Sequence, residues 1–342
     1  MARPRASKRI FIDLNHPADF HLFKSLIAML EAGGYELRIS ARKKDCLQNL
    51  LEAEGIQYLG RGRGSNRLGG KYLFGLYLLG LTSLRLMRFR PHITLSLSSP
   101  YLILVSRLLG IPTICYDDND LNPRLQAFLK RASVLISPRN YRYKLNQRHL
   151  RLPVMKELAY IRELASPHKR QGIFFRITRT DTVHHSIESV LDQNILVPQI
   201  RSWAEREKVI LASEEGSLSS EPAEVRQAHL IHFHEDLNSC QAFWGNSATM
   251  AAEAALLGLP AIFVSAELTS CLKELVEAGL LHHFLPADLE ASFLKLEACL
   301  LEQNKETAAR RAKKTEAFIA GKRDLNQLLF KLVEDYPNLP EE

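Results

Sequence analysis

A turn between an apolar strand and a helix contains the residues with the clearest chemical potential. Small side chains fill residues 245–249, and a carboxylate, Glu253, follows within two helical turns. The first amides of a helix have no intrahelical partners and carry partial positive charge, so small side chains there let a phosphate approach. Ser247 or Thr249 would add a hydroxyl donor, and Glu253 could accept hydrogen bonds from two vicinal sugar hydroxyls. The alternative is a helix that only packs on its sheet and ends in an ordinary turn at 258–260.

Two groups in the first half of the chain could move a proton. His21 follows the first predicted strand, where an imidazole could act as a general base near neutral pH or simply hydrogen-bond its own loop. Asp117, Asp118 and Asp120 follow a later strand, and clustered carboxylates raise the pKa of at least one member. One of these could orient an acceptor hydroxyl or act as a base. The three could also chelate a divalent cation, or be ordinary turn residues.

Cations and histidines follow a predicted strand at the start of the second half: Arg176, Arg179, His184 and His185. Positive charge there would offset the charge that develops on a phosphate-bearing leaving group. The alternative is a set of surface salt bridges and solvated imidazoles. Further along, His229, His232 and His234 recur at a spacing that predicts one face of a strand, beside a nucleobase or at a polar edge.

Alternating apolar runs and amphipathic segments must position these residues. The runs that predict strands in the first half are 10–14, 35–40, 57–59, 92–97, 113–116 and 134–137. Strand–helix–strand alternation with short connectors predicts a parallel sheet covered on both faces, a doubly wound α/β domain. Ligands of such sheets bind at the carboxyl ends of the strands, and Asn15, His16, Ser99 and Asp117 all fall there.

The alternation restarts after a charged segment, 141–171, that has no clean strand pattern. The later runs that predict strands are 172–177, 209–212, 230–233, 242–244 and 261–264, before a charged helical stretch at 289–332. We therefore predict two similar halves. They are an N-terminal Rossmann-like domain at 1–150, a linker at 151–171, a C-terminal Rossmann-like domain at 172–325 and a tail at 326–342.

The composition is that of a globular protein, with 342 residues of which 46% are hydrophobic and 24% charged. The net charge of +7 hides an asymmetry, because residues 1–150 hold 24 basic and 10 acidic side chains. A basic half could face an acidic half, meet phosphates or an anionic membrane, or be only a solvated surface. The five cysteines are scattered, which does not favour disulfides. The first residues are basic and are followed by too short an apolar run for a secretory signal, so we expect a cytoplasmic protein.

Basic residues flank an uncharged stretch that covers residues 72–84: Arg61, Arg63, Arg67 and Lys71 precede it, and Arg85, Arg88 and Arg90 follow it. Thirteen residues cannot cross a bilayer, since a spanning helix needs about 20. Such a helix could instead lie on an anionic membrane surface. The alternative is a core helix, because a helix that is apolar nearly all round is usually buried.

Several of these segments together resemble a known superfamily. They are Asp13, Asn15, Pro17 and His21 near the start, residues 156–160, Arg176 and His184, Ser213 and Glu214, and residues 244–262. Across roughly 10–285 the chain resembles an uncharacterised prokaryotic family of the GT-B superfamily, which also includes nucleotide-sugar glycosyltransferases and non-hydrolysing UDP-N-acetylglucosamine 2-epimerases. The resemblance implies two Rossmann-like domains facing each other across a cleft.

The resemblance also implies roles for individual residues. Ser247 and neighbouring amides would hold a donor diphosphate, Glu253 its ribose, and the first domain the acceptor. The nucleotide-sugar site would therefore comprise Arg176, His184, Ser213, Glu214, Asn246, Ser247, Ala248, Thr249 and Glu253. The acceptor side would comprise Asn15, His16, Ser99 and Asp117, with His21 and Asp118 in catalysis. Two positions depart from the family pattern, since Asn246 replaces the usual acid and Ala248 the usual glycine.

The expected function is sugar transfer from a UDP-linked donor to a cell-envelope glycan or glycolipid, in the cytoplasm or peripherally at the inner face of the membrane. The donor would be a substrate, and neither a cofactor nor a metal is expected. One alternative is a UDP-sugar 2-epimerase, in which Asp117, Asp118 and Glu214 would have to converge. Another is a non-catalytic protein that binds a nucleotide, or nucleic acid through its basic half. Nucleic acid is disfavoured, because that half has no stacking platform and no nucleic-acid motif.

Overall fold

The computed structural model describes residues 8–43, 46–62, 68–164, 169–179, 190–214, 217–220, 225–229 and 231–336. The chain divides into two compact units. Unit 1 comprises Met1–Ala159 and Arg323–Glu342, and unit 2 comprises Tyr160–Lys322. Each unit is built on its own parallel sheet.

Unit 1 contains a seven-stranded sheet whose strands are β1 (Arg9–Leu14), β2 (Glu36–Ala41), β3 (Leu59–Gly60), β4 (Ile93–Leu97), β5 (Thr113–Tyr116), β6 (Val134–Pro138) and β7 (His149–Leu152). Its helices are α1 (Pro17–Ala32), α2 (Leu47–Ala53), α3 (Leu68–Phe89), α4 (Pro100–Leu108), α5 (Pro123–Leu129) and, from the end of the chain, α13 (Leu325–Asp335). The short α6 (Leu158–Ile161) spans the division between the units.

The strand order in unit 1 is β3-β2-β1-β4-β5-β6-β7, and every pair is parallel. The chain therefore reverses its direction of winding between β1 and β4. The carboxyl ends of two strands at such a reversal leave a crevice between their connections. In unit 1 the residues at this position are Asn15 and His16 after β1 and Ser98 and Ser99 after β4.

Unit 2 contains a six-stranded sheet whose strands are β8 (Ile173–Ile177), β9 (Val209–Ser213), β10 (Arg226–Gln227), β11 (Ala242–Gly245), β12 (Ala261–Val264) and β13 (Leu281–Phe284). Its helices are α7 (Gln193–Arg206), α8 (Phe233–Ser239), α9 (Ala248–Leu256), α10 (Ser270–Glu277), α11 (Leu289–Leu301) and α12 (Lys305–Ala320). The order β10-β9-β8-β11-β12-β13 reverses between β8 and β11. Arg176 and Asn246 lie at that reversal.

Apolar strands sandwiched by amphipathic helices hold each unit together. In unit 2, the indole of Trp244 stacks on Phe293 of α11 with ring centroids 4.7 Å apart and donates a hydrogen bond to Ser292. Gly245 lets β11 approach β8 closely, because a Cβ there would lie 2.5 Å from the carbonyl oxygen of Arg176. The predicted doubly wound, parallel α/β class is confirmed in both halves.

The segment that we assigned to a linker contains regular structure. β7 pairs in parallel with β6 at the edge of the unit 1 sheet, and α6 follows at Leu158–Ile161. Only His149 and Leu152 of the four β7 residues are buried. So short an edge strand has no apolar run for a sequence pattern to detect.

The residues that we assigned to a C-terminal tail return to unit 1 as α13, which packs against α1. Leu325, Leu329, Leu332 and Val333 recur at helical spacing and are buried. Arg323 also donates its backbone N–H to the carbonyl of Pro153 at 2.8 Å. The sequence shows that this helix is amphipathic, but not which unit covers its apolar face.

The predicted strand at 230–233 is wrong. The described part of this segment is a turn that leads into α8 at Phe233. The backbone N–H of His229 donates to Asp236, and its ring Nδ1 accepts from the N–H groups of Ile231 and His232. These local bonds favour a turn. The steps of three and two residues between the histidines also do not keep the period of two that one face of a strand requires.

Candidate functional site

The turn from β11 into α9 is fixed by the side chain of Asn246. Its Oδ1 accepts from the backbone N–H of Thr178 at 2.7 Å, and its Nδ2 donates to the carbonyl of Thr178 at 3.0 Å. Its own backbone N–H donates to Arg176 at 3.1 Å. A side-chain amide satisfies both backbone groups of Thr178, whereas an ionised carboxylate could only accept. Asn246 therefore positions the start of α9 by tying the ends of β8 and β11 together.

The first turn of α9 is open. Ser247 is the N-cap residue in an extended conformation, but its side chain makes no capping hydrogen bond. Ser247 and Thr249 are half-buried, and Ala248 between them is exposed. In α10 of the same unit, by contrast, the N-cap Thr269 accepts from Leu272. The partial positive charge at the start of α9 and the Ser247 hydroxyl can therefore meet an incoming anion.

Glu253 lies one and a half turns further along α9 and is only 1% exposed. Its Oε1 accepts from the hydroxyl of Tyr160 at 2.7 Å and lies 3.3 Å from Nε2 of His234. Its Oε2 is buried and receives no hydrogen bond from any residue that the structure describes. A buried carboxylate oxygen without a donor is costly, so a ligand hydroxyl at Oε2 would be favourable.

The cation that we predicted beside this turn is already paired. Arg176 donates to Glu214 Oε1 at 2.9 Å and to the carbonyl of Ala212 at 3.1 Å. The other oxygen of Glu214 accepts from the backbone N–H of Arg179 at 3.0 Å. Two residues that we assigned separately to nucleotide-sugar binding thus form one ion pair at the carboxyl ends of β8 and β9. Because Glu214 is about two-fifths exposed, an anion could compete for this guanidinium.

The structure shows less about two other residues that we assigned to the nucleotide-sugar site. Ser213 is the last residue of β9 and pairs in register with Ile177 of β8. His184, together with His185, lies outside the residues that the structure describes.

In unit 1, a buried network surrounds the end of β1. Asp13 accepts from Ser99 at 2.6 Å and pairs with Arg61 at 3.2 Å. Arg61 also donates to the Asn15 side chain at 2.6 Å and to the carbonyl of Leu14 at 3.2 Å. Only 2% of Arg61 is exposed, so this arginine belongs to the strand ends and not to the basic surface in which the sequence interpretation placed it.

The first helix presents both of its histidines near this network. His16 is the N-cap residue of α1, and its Nδ1 accepts from the N–H of Ala18 at 3.2 Å. His21 lies in the second turn and is 8% exposed, edge-on to the ring of Phe20. Asp19 lies in the first turn of α1 and accepts from the backbone N–H of Asn15 at 2.7 Å. Burial raises the pKa of Asp19 to about 7.

The acidic loop after β5 is more structured than an ordinary turn. Asp117 is buried and accepts from the hydroxyls of Ser98 and Tyr141, the latter at 2.7 Å. Burial raises its pKa to about 7, although both hydrogen bonds act in the opposite direction. Ser98 itself adopts a left-handed backbone conformation with φ of 52°. Because serine rarely adopts it, this conformation indicates a strand end held in place by its surroundings.

Asp118 takes part in a second buried cluster with Lys156 and Glu157. Lys156 contacts the carboxylate of Asp118 directly and that of Glu157 at 2.7 Å. Burial lowers the pKa of Lys156, but the two carboxylates outweigh it and raise the pKa well above the ordinary value. The ammonium of Lys156 thus stays charged. No group of three or more potential metal ligands lies together among the described residues.

Sequence reasoning assigned no role to several residues of these clusters, namely Ser98, Tyr141, Lys156, Glu157 and Tyr160, and it placed His234 on a strand and not beside Glu253. Residues 156–160 were quoted only as part of a family resemblance, and the structure shows that they connect the two units in sequence. Lys156 binds Asp118 of the acidic loop in unit 1 and also pairs with Glu157, and Tyr160 binds Glu253 in unit 2. The sequence feature that could have indicated them is the pair Lys156-Glu157, followed three residues later by Tyr160, outside any apolar run.

The described structure is similar to solved structures over nearly the whole chain. A structure of MnaA from S. aureus with UDP has a TM-score of 0.72 and 12% identity, and the match covers 98% of both chains. A Listeria monocytogenes protein assigned as a UDP-N-acetylglucosamine 2-epimerase has a TM-score of 0.70 and 12% identity, with 99% of both chains covered. The spinosyn rhamnosyltransferase SpnG, complexed with thymidine diphosphate, has a TM-score of 0.61 and 17% identity, covering 95% of this chain and all of its own.

No protein-family model matches the chain, and no curated protein is significantly similar to it in sequence. Identities of 12–17% establish the fold and leave the activity to be argued from the site. The seven- and six-stranded parallel sheets with interleaved helices agree with these structures. The chain therefore has the GT-B fold.

Proposed function

We propose that the protein is a glycosyltransferase that binds a nucleoside-diphosphate sugar at the start of α9. The observation that carries this proposal is the combination of an uncapped helix N-terminus with a buried carboxylate oxygen that has no donor among the described residues, Oε2 of Glu253. The first feature suits a diphosphate and the second suits a ribose hydroxyl. The likeness to structures solved with UDP and with thymidine diphosphate supports the same ligand class.

In this proposal each residue of unit 2 has a distinct task. The amides at the start of α9 and the Ser247 hydroxyl hold the diphosphate, while Glu253 accepts from the ribose. Asn246 acts indirectly, because its side chain is committed to Thr178 and fixes the turn. Arg176 would exchange Glu214 for the diphosphate as negative charge develops on the leaving nucleotide.

We propose that unit 1 binds the acceptor at the carboxyl ends of β1, β4 and β5. His21 would remove the proton from the attacking hydroxyl, and Asp118 would orient the acceptor. Asp118 suits that task because Lys156 holds its carboxylate in place and its side chain is 17% exposed. Asn15, His16, Ser99 and Asp117 then shape the surrounding surface. A UDP-linked donor and a glycan or glycolipid acceptor of the cell envelope, used at the cytoplasmic face of the membrane, complete the proposal.

Nucleotide binding can be tested independently of the stability of the fold with Ser247→Asp. Aspartate is as good an N-cap as serine and favours the helix dipole, so the variant should fold with an unchanged or higher Tm. Its carboxylate would repel a diphosphate, and the thermal stabilisation that UDP and dTDP give the wild type should disappear. Thr269→Asp makes the same change at α10 and should keep the full stabilisation. Equal stabilisation of both variants would refute the site.

Glu253→Gln tests the ribose role separately. We expect affinity for UDP to fall about tenfold or more, since an interaction of a sugar hydroxyl with a carboxylate is worth about 1.5–3 kcal/mol. Affinity for inorganic diphosphate, which has no ribose, should change little. Calorimetric titration of both ligands measures this difference. A parallel loss for both ligands would show that Glu253 only supports the helix.

A second function is supported by one comparison, because the Listeria protein assigned as a 2-epimerase has a TM-score of 0.70, against 0.61 for the rhamnosyltransferase. This is a UDP-sugar 2-epimerase, which needs no acceptor. NMR of UDP-N-acetylglucosamine incubated with the protein alone distinguishes the two functions. Appearance of the 2-epimer would replace the transferase proposal, and an unchanged spectrum would favour it.

A further inference from the structure

One face of α3 is an exposed apolar stripe. Leu73, Leu76, Tyr77, Leu84 and Met87 are between 47% and 71% exposed. At about 100° per residue, all five lie within a third of the helix circumference, and from first to last they extend about 21 Å. Scattered apolar residues are normal on protein surfaces, but a continuous stripe of this length indicates an interaction surface.

The opposite face of the same helix is firmly packed. Leu78, Leu86 and Phe89 are buried, and α3 packs against α4. The stripe is therefore the outer face of a helix held in place by unit 1. The sequence analysis left open whether this helix is buried in the core or lies at a surface. Each alternative describes one face of α3.

A cavity of about 530 Å³ adjoins the stripe and shares Leu84 with it. Four arginines line the cavity, namely Arg9, Arg38, Arg85 and Arg88, against one acidic side chain, Glu36. Its remaining wall is apolar and includes Phe11, Leu59 and Phe89. The cavity therefore offers positive charge next to apolar surface, which is complementary to an anionic amphiphile.

Three of these four guanidinium groups make contacts that do not neutralise their charge. Arg85 donates to the carbonyls of Gly60 and Leu59 at 2.7 and 3.3 Å. The guanidiniums of Arg38 and Arg9 lie 5.5 and 6.0 Å from the ring centroid of Phe89. Among the described residues, no carboxylate forms an ion pair with any of the four arginines. Arginine binds phosphate oxygens in a planar, two-pronged geometry, so a phosphate would relieve the repulsion among them.

We propose that α3 lies in the surface of an anionic phospholipid bilayer, with its stripe among the acyl chains and a lipid phosphate in the arginine-lined cavity. None of the described helices has the length and apolar character needed to span a membrane, so the helix would lie parallel to the surface. A lipid surface fits better than a protein partner because the charge beside the stripe is almost entirely of one sign. This inference does not depend on sugar transfer.

Vesicle flotation of the full chain tests the proposal. We expect binding to vesicles of phosphatidylcholine with 30% phosphatidylglycerol, at least about tenfold stronger than to phosphatidylcholine alone and weaker at high salt. Millimolar inorganic phosphate should not compete, because a free anion contributes no acyl chain. Equal binding to neutral and anionic vesicles, or full displacement by inorganic phosphate, would refute the proposed ligand.

Two variants locate the surface. Leu76→Gln with Met87→Gln removes apolar contact, and Arg38→Gln with Arg88→Gln removes charge. Each pair should lower the vesicle partition coefficient about tenfold with no change in Tm, because all four side chains are exposed. The matched controls are Leu294→Gln in unit 2, where the leucine is 67% exposed like Leu76, and Arg124→Gln on α5.

The controls should bind vesicles like the wild type. If the stripe variant bound as well as its control, the proposal would be wrong. Light scattering provides a second check. If the wild type were a dimer and the stripe variant a monomer, the stripe would be a protein interface and the membrane proposal would be wrong.

Discussion

The side chain of Asn246 illustrates how one atom can decide the geometry of a candidate ligand site. Its Nδ2 donates to the carbonyl of Thr178, and this bond joins the ends of two neighbouring strands. The residue occupies a position where the resembling family usually has an acid. In this chain the amide is structurally required, because a carboxylate would face the Thr178 carbonyl with another acceptor.

Asn246→Asp should therefore destabilise unit 2 by about 1–3 kcal/mol, the cost of losing a hydrogen bond between part-buried polar groups. The loss should shrink as the pH falls below about 4, where the protonated carboxyl can donate again. Urea unfolding at several pH values measures both effects. Asn194→Asp, at an exposed position in the first turn of α7, should have little effect and serves as the control. Equal stability of the two variants would contradict the role given to Asn246.

Asp19 predicts an unusual pH dependence of stability. Its folded pKa is raised to about 7 by burial, whereas its unfolded pKa is the ordinary 3.8. Between these values the folded state holds a proton that the unfolded state has lost. The free energy of unfolding consequently falls as the pH rises from about 4 to about 7, and does not recover above that. Asp117, also raised to about 7, acts in the same direction.

Asp19→Asn should flatten part of this slope. At pH 8 the variant should be more stable than the wild type by up to about 4 kcal/mol, and at pH 4 the two should be nearly equal. Chemical denaturation across this range provides the measurement, with the exposed N-cap change Asp192→Asn as the control. An unchanged slope between pH 4 and pH 7 would mean that Asp19 titrates normally in the fold.

At the scale of elements, α13 gives unit 1 part of its core although it is encoded after the whole of unit 2. Leu329→Ala removes a side chain that is 1% exposed and should cost about 2–5 kcal/mol of unit 1 stability. Gln327→Ala on the exposed side of the same helix should cost less than about 0.5 kcal/mol. Urea unfolding, monitored by hydrogen exchange of the α1 amides, would measure this difference in stability. Equal protection of α1 in both variants would show that α13 contributes little.

Local pattern predicted most of these elements, and it failed where position in the sheet decided the structure. β5 and β12 were predicted to the residue, because a short apolar run between turn signals indicates a buried strand. β7 was missed, since an edge strand with two buried residues has no such run. The strand predicted at 230–233 was wrong, because His229, His232 and His234 do not keep a period of two and local hydrogen bonds favour a turn.

The candidate site was predictable only where it is contiguous in sequence. Residues 246–253 form one turn and one helix, and their chemistry could be inferred from spacing. Their partners could not, because Tyr160 and His234 approach Glu253 only through the fold. Arg61 likewise reaches Asp13 from 48 residues away, so its sequence neighbourhood of glycines and arginines was misleading.

At the scale of the whole molecule, the two proposed ligands belong to different units. A nucleotide should slow hydrogen exchange at residues 246–250 of unit 2, and anionic vesicles should slow it along α3 of unit 1. Each ligand should leave the other segment unchanged when added alone. Hydrogen-exchange mass spectrometry with UDP, vesicles and both together tests this. Protection of α3 by UDP alone would indicate that the two ligands do not act on separate units.

The discontinuous make-up of unit 1 has a consequence for how the protein is made. Its sheet and first five helices are synthesised early, but α13 leaves the ribosome only after all of unit 2. Unit 2 is continuous and can complete its folding during translation, while the part of α1 that packs against α13 is still uncovered in the nascent unit 1. The first half of the chain is therefore the part that should need a chaperone during synthesis.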